Sequence, residues 1–126
     1  MRKSVTTGSP WEGKVGYCRA VRIGNIIEVS GTTASEDGVV QCLADPFGQT
    51  IHILNTIQKA IEELGGNITD VIRTRVYCTD ITQWEDIGRA HSQYFEYIKP
   101  AMAIVEVSNL IHPNMLVEIE ATCIIS

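Results

Sequence analysis

The chain has 126 residues, 44% of them hydrophobic, which predicts one globular domain over residues 1–126. Ten Lys and Arg residues against 15 Asp and Glu residues give a net charge of −5, which disfavours nucleic-acid partners because these require clustered positive charge. No apolar run follows the basic N-terminal residues, and none elsewhere is long enough to span a bilayer. The sequence therefore predicts a cytoplasmic protein that does not contact membranes.

The first third of the chain predicts a loop-rich start followed by extended segments. Residues 1–16 are rich in Gly, Ser, Thr and Pro and predict an irregular N-terminal arm. Residues 18–30 predict a hairpin, since apolar residues alternate with polar ones on both sides of the turn signal Gly24-Asn25. A short extended piece is expected at residues 39–43.

Two helices are expected in the middle of the chain, separated by a strand. Asp45-Pro46 is a strong start for the first helix, which Gly65-Gly66 ends. Residues 71–78 alternate as a strand should. The second helix is expected to begin at a capping box formed by Thr82 and Glu85 and to end before Pro100.

Residues 101–107 and 116–125 complete the pattern as two further strands. The whole order predicts an α+β domain in which two helices cover one face of a mixed sheet. The other face carries both apolar and charged residues, which favours its burial by assembly of several subunits.

Two carboxylates, Glu118 and Glu120, fall on the uncovered face of the last strand, with α-carbons about 6.5–7 Å apart. Like charges at this spacing repel, so one of them is a candidate general base with a raised pKa. Alternatively, Arg73 and Arg75, which also share one strand face, neutralise the pair. The two interpretations are compatible and carry about equal weight.

The three histidines, His52, His91 and His112, lie far apart and have no metal-ligand spacing. No nucleophile elbow, phosphate-binding loop or dinucleotide fingerprint is present in the sequence. The histidines therefore do not predict a metal site. His91 is expected to face the sheet from the second helix, and a structural role is favoured over a catalytic one.

An ordered set of short stretches resembles the RidA/YjgF family. These stretches are Tyr17–Asn25, Val29–Gly31, Gln49–Gly66, Asp70–Asp80, Tyr94–Phe95, Pro100–Ala101, Val105–Val107 and Val117–Ala121. The resemblance implies a chorismate-mutase-like subunit with a six-stranded mixed sheet, assembled as a homotrimer around a central barrel. It also implies clefts between subunits that hold small molecules, and hydrolysis of reactive imines and enamines without a cofactor.

The resemblance also assigns functional positions. Glu118 matches the family glutamate that orients the attacking water, and Tyr17, Ser30 and Gly31 match residues of the cleft. Gly88 stands where the family has an asparagine in the second helix.

The family arginine that binds the substrate carboxylate is replaced by Met102 in the segment Pro100-Ala101-Met102. Methionine gives the cleft a flexible apolar side chain in place of a positively charged guanidinium group. The chain therefore resembles a branch without this arginine. Arg75, Arg19 or His91 are candidates to supply the missing group, with Arg75 favoured because its strand face could reach Glu118.

Two activities compete with deamination on these patterns. A non-catalytic trimer that binds or senses a metabolite is favoured by the replacements at Gly88 and Met102. Cleavage of nucleic acid is disfavoured by the net charge and by the lack of a basic stripe.

Overall fold

The structure, a computed structural model, describes all residues 1–126. Its centre is a six-stranded sheet in the order β1-β2-β3-β8-β6-β7, in which all neighbours are antiparallel except β6 and β7. The sheet strands are β1 Arg2–Val5, β2 Ala20–Ile23, β3 Ile26–Thr33, β6 Val71–Cys78, β7 Ala101–Glu106 and β8 Val117–Ile124. A separate hairpin comprises β4 Ser35–Glu36 and β5 Val39–Val40. The helices are α1 Pro10–Val15, α2 Pro46–Glu63 and α3 Trp84–Phe95.

The predicted hairpin and the predicted first long helix are confirmed. β2 and β3 pair through Ile23 and Ile26, which leaves Gly24-Asn25 as the two-residue turn. At the start of α2, the side chain of Asp45 accepts a hydrogen bond from the backbone N–H of Gly48 at 2.9 Å. The helix ends before Gly65, whose φ of 84° is a left-handed conformation that favours glycine.

Two local predictions are wrong, and a third is confirmed only in part. The N-terminal segment 1–16 is not an irregular arm, because β1 forms the edge of the sheet and α1 follows it. The extended piece expected at residues 39–43 is confirmed in part, because Val39–Val40 forms a strand that pairs with Ser35–Glu36 outside the main sheet. Thr82 does not cap the second long helix. Asp80 caps a short 3-10 turn that precedes the helix, and its side chain accepts from the N–H of Thr82 at 3.0 Å.

The hydrophobic core lies between the sheet and the two long helices. In β8, residues 117, 119, 121 and 123 are buried in this core, and the alternate residues face the opposite side. That opposite face is covered by no helix. Large apolar residues remain exposed there, including the cross-strand partners Ile26 and Ile124, which are 46% and 40% exposed. No helix has the length and apolar character needed to cross a membrane.

Candidate functional site

The candidate site is built where β3 departs from its regular pairing with β8. The register shifts between Val29 and Thr32, so that Ser30 and Gly31 form an irregularity in the ladder. Such a bulge re-aims the local backbone. It places Gly31 directly under the carboxylate of Glu118, and a Cβ at position 31 would collide with Glu118 Oε2.

The Glu118 side chain is partly withdrawn from water, and its charge is balanced by opposing neighbours. Burial raises the pKa of this carboxyl above its ordinary value of 4.5, and the negative charge of Glu120 raises it further. The positive charge of Arg19 acts in the opposite direction and lowers the pKa. A carboxylate in this setting is suited to accept and return a proton.

Arg19 lies behind the bulge and is 5% exposed. Its Nη1 donates to the carbonyl oxygen of Gly31 at 2.6 Å and to Thr32 Oγ1 at 2.9 Å. Its Nη2 lies 3.3 Å from Glu12 Oε2, and its guanidinium carbon lies 5.6 Å from the centroid of the Tyr17 ring. With these donors engaged, Arg19 has little freedom to bind a substrate carboxylate in place of the family arginine.

A pocket of about 460 Å³ opens beside this cluster. Tyr17, Arg19, Gly31 and Glu118 contribute to its wall, together with residues from the N-terminal segment, the β4–β5 hairpin and α2. The structure therefore brings together three of the sequence-predicted site residues, Tyr17, Gly31 and Glu118. Ser30 lies beside them but outside this pocket, and its hydroxyl donates to the carbonyl of Cys18 at 2.7 Å.

The expectation that Arg75 reaches Glu118 is wrong within the subunit. In the register between β6 and β8, Arg75 faces Glu120, and Tyr77 faces Glu118. Arg75 Nε lies 3.7 Å from Glu120 Oε1, and the Tyr77 hydroxyl donates to the same oxygen at 2.9 Å. Arg75 therefore neutralises Glu120, which confirms half of the predicted pairing. Arg73 faces Thr122 and forms no ion pair.

His91 lies on the helix side of the sheet, away from Glu118. Its Nε2 lies 2.8 Å from Thr74 Oγ1, and its ring packs against that of Phe95 with the centroids 4.6 Å apart and the planes tilted by 43°. Burial lowers the pKa of His91 to about 4, so the imidazole is neutral at physiological pH. A neutral, hydrogen-bonded core histidine does not replace a positively charged arginine.

Met102 and Gly88 also lie apart from Glu118. Met102 is on the edge strand β7, where it pairs with Thr74 and shares the helix-side face. Gly88 is on α3 with open space where its Cβ would be. A single subunit therefore does not bring these two positions together with Glu118.

The buried contact between Glu12 and Arg19 was not predicted from the sequence. Arg19, a charged residue directly before the core residue Ala20, was the available hint of a buried ion pair. Its partner Glu12 was not identified because residues 1–16 were expected to be irregular. No group of three metal-ligating side chains is present. His52 lies 3.0 Å from Glu36, and His112 accepts from the backbone N–H of Asn114.

The fold and the site define an α+β, chorismate-mutase-like domain with a partly buried carboxylate at a β-bulge. Residues 9–125 match the family model described as endoribonuclease L-PSP. The chain belongs to this family, which is the RidA/YjgF family that the sequence resembles.

Individual relatives agree with this assignment. An uncharacterized protein of Streptomyces coelicolor is 36% identical over 94% of this chain and 88% of its own length. Rv2704 of Mycobacterium tuberculosis, a member of the YjgF/YER057c/UK114 family, has a crystal structure that is 44% identical with a TM-score of 0.90, covering 99% of this chain and 100% of that one. The YjgF gene product of Escherichia coli is 25% identical with a TM-score of 0.82, covering 97% of both chains.

Proposed function

We propose that the protein is an imine and enamine deaminase of the Rid type, with Glu118 as its catalytic residue. The observation that carries the proposal is the Glu118 carboxylate, held over Gly31 at a pocket wall. Its pKa is raised by burial, which favours exchange of protons with a substrate near neutral pH. Membership of the RidA/YjgF family supports the same reading.

The reaction needs one water molecule and two proton relays through Glu118. In the first, Glu118 takes a proton from water as the water oxygen bonds to the imine carbon, and returns it to the imine nitrogen to give a neutral carbinolamine. In the second, Glu118 takes the proton of the carbinolamine hydroxyl and delivers it to the amino nitrogen. The carbon–nitrogen bond breaks as the carbonyl forms, and a carbonyl compound and ammonia are released. The carboxylate is regenerated, so no cofactor is consumed.

The proposed assembly is a homotrimer with clefts between its subunits. Glu118 faces the uncovered side of the sheet, whereas Met102 lies on the helix-side face of edge strand β7. Glu118 and Met102 can therefore line the same cleft only if strand β7 of a neighbouring subunit lies against the uncovered face of the sheet. Exposed Ile26 and Ile124 give the uncovered face an apolar surface that such an assembly would bury.

The proposed substrate class follows from the charges near the pocket. Met102 supplies no cation, Arg75 is paired with Glu120, and Arg19 is bonded to Glu12 and the bulge. We therefore expect substrates that are uncharged, or whose anionic group lies elsewhere in the cleft. On α2, Lys59 lines the pocket, is exposed and forms no ion pair, so it is available to bind such a group.

A nucleic-acid substrate is not proposed, although the family description names an endoribonuclease. The pocket wall contains the carboxylates of Glu36, Asp37, Glu63 and Glu118. These charges would repel phosphate groups, and the chain as a whole carries a charge of −5.

A second candidate is a trimer that binds a metabolite without catalysis. It is favoured by Met102, because loss of the arginine removes a group that would hold a carboxylate substrate during hydrolysis. Melting shifts across a panel of small metabolites test this candidate, with Glu118→Gln as the comparison. Binding without turnover would support it over the deaminase.

The test of the deaminase is release of carbonyl product from imines that an amino-acid oxidase generates in solution. We expect wild type to accelerate hydrolysis above the spontaneous rate and Glu118→Gln to abolish the acceleration. The panel should include imines with neutral as well as carboxylate substituents. No acceleration with any imine would overturn the proposal.

A further inference from the structure

A buried ion pair lies directly behind the pocket wall that carries Gly31. Glu12 and Arg19 are each 5% exposed, and their nearest charged atoms are 3.3 Å apart. Glu12 also accepts hydrogen bonds from the Thr7 hydroxyl at 2.6 Å and from the Thr7 backbone N–H at 3.2 Å. A carboxylate buried in this way is stable only when paired and hydrogen-bonded. Glu12 thus has the contacts of a dedicated counter-ion for Arg19.

Arg19 in turn fastens the bulge on which Glu118 rests. The carbonyl of Gly31 lies at the shift in register between β3 and β8, where the regular ladder is interrupted. Arg19 donates to that carbonyl and to the neighbouring Thr32 hydroxyl. The planar guanidinium can serve these acceptors and Glu12 at once, which a single ammonium group could not do in the same geometry.

We propose that Glu12 is a positioning residue for Glu118: it holds Arg19 against the Gly31 bulge and balances the guanidinium charge beside the Glu118 carboxylate. Glu12 does not line the pocket and acts through Arg19. The inference rests on the proposed role of Glu118 as the proton-transferring residue.

The titratable and charged groups that face Glu118 determine how substitutions change its pKa. Arg19 approaches from the β2 side, Glu120 lies on the same strand, and Tyr77 is the cross-strand neighbour on β6. Tyr17 lines the same pocket. Lys59 of α2 also lines this pocket, but among the charged groups that act on the Glu118 pKa Arg19 is the cation, and Glu120 is paired with Arg75. The charge of Arg19, together with its compensation by Glu12, is therefore the influence on the Glu118 pKa that a substitution can change.

Two substitutions shift Glu118 in opposite directions. Glu12→Gln keeps a hydrogen-bond acceptor for Thr7 and Arg19 but removes the negative charge. The Arg19 charge is then uncompensated, so the pKa of Glu118 falls and the acid limb of kcat/KM moves to lower pH. Arg19→Gln removes the attraction altogether, so the pKa rises and the limb moves to higher pH. A merely structural role would not produce opposite shifts.

The experiment is a ¹³C-NMR titration of the Glu118 carboxyl in the full-length protein, with Glu118→Gln identifying its resonance. Wild type, Glu12→Gln, Arg19→Gln and the control Arg22→Gln are compared. Arg22 also bonds backbone carbonyls, those of Gly24 and Leu64 at 2.8 and 2.7 Å, but lies outside the pocket. We expect opposite shifts for the first two variants and none for the control. An unchanged or raised Glu118 pKa in Glu12→Gln would overturn the inference.

Arg19→Lys provides a second test if a neutral variant does not fold. Lysine keeps the positive charge but lacks the planar guanidinium group with its several N–H donors. The pKa of Glu118 should therefore stay near that of wild type, while the backbone amide signals of Gly31 and Thr32 move. We expect kcat/KM to fall roughly tenfold because the charge-assisted bonds to the bulge are lost. A Glu118 pKa clearly above that of wild type in Arg19→Lys would contradict the proposal. The titrations need no turnover, so they decide this inference even where no imine is hydrolysed.

Discussion

The carboxylate of Glu118 occupies the space into which a Cβ at position 31 would project. A side chain at this position would therefore push the Glu118 carboxylate aside. The contact joins β3 to β8 at the bulge and fixes one side of the pocket.

Gly31→Ala should displace the Glu118 carboxylate and reduce kcat/KM by about 100-fold, because a displacement near 1 Å is enough to disrupt a catalytic geometry. The matched control is Gly13→Ala on α1, where an added Cβ has open space. We expect both variants to fold and only Gly31→Ala to lose activity in steady-state assays. Full activity of Gly31→Ala would show that the position of Glu118 is not critical.

Glu118→Gln should stabilise the protein at neutral pH while it abolishes activity. The folded pKa of Glu118 is raised, so its stabilising contribution is present below the unfolded pKa and is lost as pH rises through the folded pKa. At pH 7 the ionised side chain is therefore less favourable in the folded state than in the unfolded state, and glutamine removes this penalty. Denaturant unfolding at pH 7 and pH 4 measures the difference. A gain that is equal at both pH values would contradict the electrostatic explanation.

Met102→Arg should restore recognition of carboxylate substrates. A charge-assisted hydrogen bond to a carboxylate contributes roughly 1.5–3 kcal/mol, which corresponds to a roughly 10- to 150-fold gain in kcat/KM. The gain is expected for imino acids and not for neutral imines, and Met102→Leu serves as the uncharged control. An equal effect on both substrate classes would show that position 102 does not contact the carboxylate.

The Thr74–His91 pair should make stability fall in mild acid. The pKa of His91 is lowered to about 4, so its contribution is complete above the unfolded pKa of 6.5 and is lost as pH falls from there towards 4. The loss amounts to about 3 kcal/mol over this range. Thr74→Val combined with His91→Leu removes both polar partners and should flatten this part of the profile. Urea unfolding between pH 4 and 7 provides the comparison, and an unchanged slope would show that His91 is not responsible.

Much of the fold follows from local patterns in the sequence. Strict alternation in residues 116–125 correctly placed Glu118 and Glu120 together on the uncovered face. The start of α2 followed from Asp45-Pro46, since both residues suit a helix N-terminus for reasons that do not depend on distant contacts.

The misses depend on tertiary pairing. Strand β1 has four residues and is mostly exposed, so its sheet partner rather than its own composition defines it. Arg75 meets Glu120 instead of Glu118 because the register between β6 and β8 decides which side chains face each other. The Glu12–Arg19 contact was hidden for the same reason, since the two residues lie on different elements.

The central claim is that Glu118 transfers the proton in imine hydrolysis, and one comparison tests it most directly. The pKa of the Glu118 carboxyl is measured by ¹³C-NMR in wild type and compared with the acid limb of kcat/KM for a neutral imine. The two values should coincide and both should lie above the ordinary 4.5 of a glutamate. An acid limb that does not follow the Glu118 titration, or activity that persists in Glu118→Gln, would contradict the account.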